Sequence, residues 1–107
     1  MRFKVIIGEQ VYAVDVPDDL LQEAAEFHAR LDRDMDRGWQ MSRQFVERPD
    51  LLQRCQIVAD QLLTSIMNGN EATAMFMAAY IALRMPGAVG VDIDDSGEMQ
   101  NTELLYA

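Results

Sequence analysis

The spacing of apolar and polar positions changes period twice along this chain. Residues 2–7 (RFKVII) and 11–16 (VYAVDV) are rich in β-branched and aromatic side chains. The connector Gly8-Glu9-Gln10 between them predicts the turn of a β-hairpin. A two-stranded ribbon is marginal in water, so one of its faces must pack against the remainder of the chain. From Pro17 the period lengthens to that of a helix. Leu20, Ala24, Phe27, His28, Leu31 and Met35 form one stripe over about 18–37, opened by Asp18 and Asp19 and closed by Gly38.

Residues 39–48 (WQMSRQFVER) fit either a short helix or a loop that inserts Trp39 and Phe45 into the core. Pro49 and Asp50 restart a helix that reaches about Met67, with Leu51, Leu52, Cys55, Val58, Ala59, Leu62 and Ile66 on its inner face. Asn68-Gly69-Asn70 closes it, and Asn70 is placed to cap a third helix over about 71–85. From Ala72 to Leu83 that helix is apolar nearly all round, which implies burial on several sides. Pro86 and Gly87 end it, Val89 to Ile93 has strand composition, and Asp94-Asp95-Ser96-Gly97 turns the chain. Residues 98–107 fit an edge strand or a short helix. The order predicts a single α+β domain over 1–107. About three helices cover one face of a small antiparallel sheet, made from the N-terminal hairpin and a C-terminal strand or hairpin.

Charge narrows the partners. Eighteen acidic against nine basic side chains give a formal charge of −9, which repels phosphate backbones and anionic headgroups, so neither nucleic acid nor membrane is expected. The longest uncharged apolar stretch falls short of the roughly 20 residues that span a bilayer. Cys55 is the only cysteine, which suits a reducing compartment, and the first apolar run stops at Gly8, too early for a signal peptide. A soluble cytoplasmic protein is the expectation.

Residues 92–103 (DIDDSGEMQNTE) resemble the twelve-residue calcium loop of EF-hand proteins, with oxygen-bearing residues at positions one, three and five, glycine at six and glutamate at twelve. That resemblance implies calcium held by Asp92, Asp94, Ser96 and Glu103 through side chains and by Glu98 through its carbonyl. The competing reading is an acidic hairpin whose Asp-Asp-Ser-Gly is turn chemistry. A second acidic run, Asp32-Arg33-Asp34-Met35-Asp36-Arg37-Gly38, has its glycine one place late and reads as a solvated helix face. His28 and Cys55 are the only histidine and thiol, and they make a Cys-His nucleophilic pair only if the helices bring them together. Each also reads as a core residue on an apolar stripe.

Met75, Met77 and Tyr80, among the alanines of the third helix, offer an adaptable surface for a protein partner or a second copy of the chain. The first 35 residues resemble the N-terminal part of the Z-ring-associated cell-division accessory family, through Gly8, Tyr12, Pro17, Leu20, Ala24, Ala25 and Met35. Gly38, Pro49 and Asn68-Gly69-Asn70 depart from that family's long coiled coil, so no function is carried over. Three functional readings remain, led by the one that the apolar third helix and the lack of a catalytic constellation favour. The first is a non-enzymatic accessory or interaction module without a cofactor. The second is a calcium-binding module, and the third a small enzyme using Cys55 or His28.

Overall fold

The computed structural model describes all 107 residues and shows an α+β fold. Strands β1 (Arg2–Ile7) and β2 (Gln10–Asp15) form the expected hairpin, paired from Arg2 with Asp15 to Ile7 with Gln10. Gly8, at a φ of +61°, supplies the left-handed residue that a two-residue connection needs. Helices α1 (Asp18–Glu23) and α2 (Ala25–Asp36) follow as one nearly continuous rod, interrupted at the buried Ala24.

Residues 39–48 are neither a helix nor a core-filling loop. They make a second hairpin, β3 (Trp39–Met41) and β4 (Gln44–Val46), in which Met41 is the fully buried residue, Trp39 is half-buried and Phe45 is 56% exposed. The hairpin is fastened to the C-terminal part of the chain. The Ser42 hydroxyl donates to the Gly97 carbonyl at 2.7 Å and accepts from the Met99 amide at 2.9 Å, and Gln100 donates to the Met41 carbonyl.

Helix α3 (Leu51–Met67) opens with a complete capping box. The Asp50 carboxylate accepts from the Gln53 amide, and the Gln53 side chain accepts from the Asp50 amide. The cap sets the helix phase so that Cys55, Val58, Ala59 and Leu62 face inward, while Leu51 and Leu52, expected on that face, are nearly half exposed in the first turn. Asn70 caps α4 (Glu71–Arg84) through the Thr73 amide, as its position predicts. Helix α4 is central. It packs on α3, on α1 and α2, and on strands β2 and β5, which is why its apolar residues run nearly all round.

Strand β5 (Ala88–Ile93), a short 3-10 turn (Met99–Asn101) and β6 (Glu103–Tyr106) finish the chain. The four-stranded sheet has the order β2-β1-β5-β6. The two hairpins join through a parallel β1–β5 contact, so the sheet is mixed rather than wholly antiparallel. Phe3, Val5, Ile7, Val14, Val91 and Ile93 alternate onto the helix-covered face and form the core with α3 and α4. The opposite face carries Lys4, Ile6, Val11, Ala13, Asp92 and Glu103.

Candidate functional site

Three regions hold the chemistry that the sequence offers. The first is an ionic cluster where α2, α3 and α4 meet. Asp32 projects from the inner side of α2, four residues beyond His28. It accepts from the Tyr80 hydroxyl at 2.6 Å, from Arg84 at 2.7 Å and from Arg54 at 3.1 Å. Arg54 also donates to Asp36 at 2.6 Å and to the Pro49 carbonyl. The Arg84 guanidinium lies 4.6 Å from the centre of the Tyr80 ring. Burial alone would raise the Asp32 carboxyl, but the hydrogen bonds from Tyr80, Arg84 and Arg54 outweigh it and hold it below the ordinary value. Burial and the bond to Asp32 both push the Tyr80 hydroxyl upward.

Sequence reasoning placed Asp32 on a solvated face and so missed this cluster. One local signal for it exists, because Asp32 falls within the arc of His28, Leu31 and Met35. Tyr80 and Arg84, one turn apart on α4, are its natural complement.

His28 and Cys55 are both fully buried, and no hydrogen bond joins them. The His28 Nε2–H donates to the Phe76 carbonyl at 2.9 Å, and the ring stands edge-on to Tyr80. Burial lowers the His28 pKa, partly offset by that hydrogen bond, so the core favours the neutral ring. Burial pushes the Cys55 thiol up to about 11. Each side chain here fills space among α2, α3 and α4.

The second region is the segment 92–103. It runs as strand, turn, 3-10 turn and strand, not as the loop between two helices that the EF-hand resemblance implies. Asp92 and Glu103 face each other across β5 and β6. Asp94 is turned inward on its own loop, accepting from the Ser96 hydroxyl at 2.6 Å and the Glu98 amide at 3.0 Å. Asp92, Asp94, Asp95, Glu103 and Asn101 border an open depression of about 280 Å³ beside Gly8. No group of three or more carboxylate, histidine or cysteine side chains converges there as a metal-holding set.

The third region lies along the outer edge of β2. A groove of about 400 Å³ runs between β2 and the α3–α4 corner, with Tyr12, Val14, Ile66, Ala74 and Met75 among its apolar walls and Asp15 and Glu71 at its rim. Of the three α4 residues expected to form a surface, only Met75 contributes. Met77 and Tyr80 are buried because they point at the sheet and at α2, the sides on which α4 is covered.

No protein-family model, curated protein or solved structure matches this chain.

Proposed function

We propose that this chain is a non-enzymatic protein-interaction module, and that the groove beside β2 is part of the surface it presents. The observation that carries this reading is the coincidence of an open apolar groove with a sheet edge that no other strand pairs. Such an edge is a template for binding another chain. The excess of acidic charge supports protein rather than nucleic acid as the partner class. No helix is long and apolar enough to cross a membrane. The single buried thiol supports a cytoplasmic setting.

Chemical crosslinking of the tagged chain in its own host, followed by mapping of the crosslinks, tests the reading. A protein crosslinked reproducibly to one surface region is expected. A chain that recovers only itself, unlinked to any protein, overturns it.

Calcium binding is the second reading, favoured by the four carboxylates around the β5–β6 depression. Titration calorimetry against Glu103→Gln decides it. Heat at millimolar calcium that this substitution removes supports the reading, and no heat removes it.

A further inference from the structure

We infer that the β2 edge takes up an extended, positively charged segment of another protein as a fifth strand of the sheet; this rests on the interaction-module reading and names its partner chemistry. The hydrogen-bond phase of the hairpin sets which groups are free. The Val16 amide donates to the Met1 carbonyl at 2.7 Å and the Met1 amino group to the Val16 carbonyl at 2.6 Å, so these two form a mutually bonded pair. Antiparallel pairs alternate, and the register therefore makes Phe3–Val14, Val5–Tyr12 and Ile7–Gln10 the bonded pairs. Val11, Ala13 and Asp15 consequently turn their N–H and C=O groups outward, where no strand meets them. Three donor-acceptor sets at two-residue intervals match another extended backbone.

Sheet edges are ordinarily blunted by lysine, proline or a bulge. Residues 10–15 carry neither lysine nor proline, and their pairing runs without a register shift. An added strand would send alternate side chains to the two faces of the sheet. On the helix side they meet Ile66, Ala74 and Met75, which select apolar residues. At the rim they meet Glu71, which is exposed and has no cationic partner, and Asp15, whose one contact is an exposed pair with Arg2 at 3.3 Å. Apolar residues alternating with lysine or arginine complement this surface. A second copy of the chain does not, because its β2 brings another Asp15 and no cation, and each copy carries −9.

Panning phage-displayed random heptapeptides on the chain, then measuring the enriched peptides by fluorescence anisotropy, tests the inference. Peptides that alternate apolar and basic residues are expected, with amide exchange slowed at Val11, Ala13 and Asp15. Ala13→Pro removes an outward N–H at an edge position that accepts proline, and should weaken binding about tenfold or more. Charge reversal by Asp15→Lys with Glu71→Lys should weaken it without touching the fold, whereas Phe45→Ser should not. No enrichment, enrichment of acidic or uncharged peptides, or undiminished binding by the charge-reversed chain overturns the inference. So does self-association by light scattering that Ala13→Pro abolishes. Crosslinks from a host protein to a different face would sink this assignment and leave the interaction-module reading standing, while a chain that holds no protein anywhere removes both.

Discussion

Gly38 shows how one position ties a turn to its neighbours. It joins α2 to β3 at a φ of +91°, a left-handed conformation that side chains resist, and a β carbon there would lie 2.5 Å from the Phe45 ring. Gly38→Ala should therefore cost more than about 1 kcal/mol in thermal or urea unfolding. The exposed Phe45 is held as a lid over that glycine, so Phe45→Ala should relieve part of the penalty in the double substitution. Cys55 belongs to the same scale. A thiol raised to about 11 and fully buried should stay inert to a thiol reagent at pH 8 until denaturant opens the chain. Rapid labelling of the native protein would show a solvent route to Cys55 that the packing of α3 does not contain.

His28 gives the residue scale its pH dependence. Its folded pKa lies below the ordinary 6.5, so above that value the neutral ring is fully stabilising. As pH falls through 6.5 the unfolded chain takes up a proton that the folded one refuses, and stability declines until the folded pKa is reached. His28→Gln should flatten this part of a melting-temperature profile between pH 7 and 5. A profile that keeps its slope would place the titrating group elsewhere.

Between elements, the Asp32 carboxylate ties three helices together. It is the only side chain bonded to both α3 and α4 from α2, and its partners Arg54 and Arg84 are themselves largely covered. Asp32→Ala leaves two guanidinium groups and a buried hydroxyl short of an acceptor, at about 2–4 kcal/mol in equilibrium unfolding. Replacing only Asp36, the more exposed partner of Arg54, should cost under about 1 kcal/mol. Equal losses from the two would mean that Asp32 is no more than another surface pair.

Local chemistry made α3 and α4 readable, because Asp50, Asn70 and the stripe from Cys55 to Ile66 all act within a few residues of sequence. The short strands β3 and β4 were not readable. Three residues each give no measurable period, and the hairpin is fixed by Ser42 reaching Gly97 and Met99 from 55 and 57 positions away. Leu51 and Leu52 misled for a related reason, since in the first turn the cap decides which side faces in. At the candidate site, Met75 was legible as an apolar residue of α4. The free edge beside it was not, because which strand lies outermost depends on the parallel β1–β5 pairing between the two ends of the chain.

On the scale of the whole molecule, charge is the unbalanced quantity. Four of the eighteen acidic side chains, Asp15, Asp18, Asp32 and Asp36, have a cationic partner within ion-pair distance, and the chain as a whole carries a net −9. Self-repulsion of that kind opposes the compact state and is screened by salt, whereas the partly covered Asp32 pairs are screened less. Raising sodium chloride from low ionic strength should therefore stabilise the fold. A gain of about 1 kcal/mol corresponds to a melting temperature ~5 °C higher for a domain of this size. Mild acidification works through two opposed routes: neutralising surface carboxylates relieves repulsion, while His28 and then Asp32, held below its ordinary value, withdraw stability as the pH falls through their unfolded ranges. Salt separates the routes because it screens the exposed surface repulsion more than the partly covered cluster and leaves the His28 proton uptake in place. Melting curves at pH 7 that move upward with salt, and move less in a variant with surface carboxylates replaced by glutamine, would place the destabilising charge on the surface. A downward shift would instead make the α2–α3–α4 ionic cluster the dominant electrostatic feature of the fold.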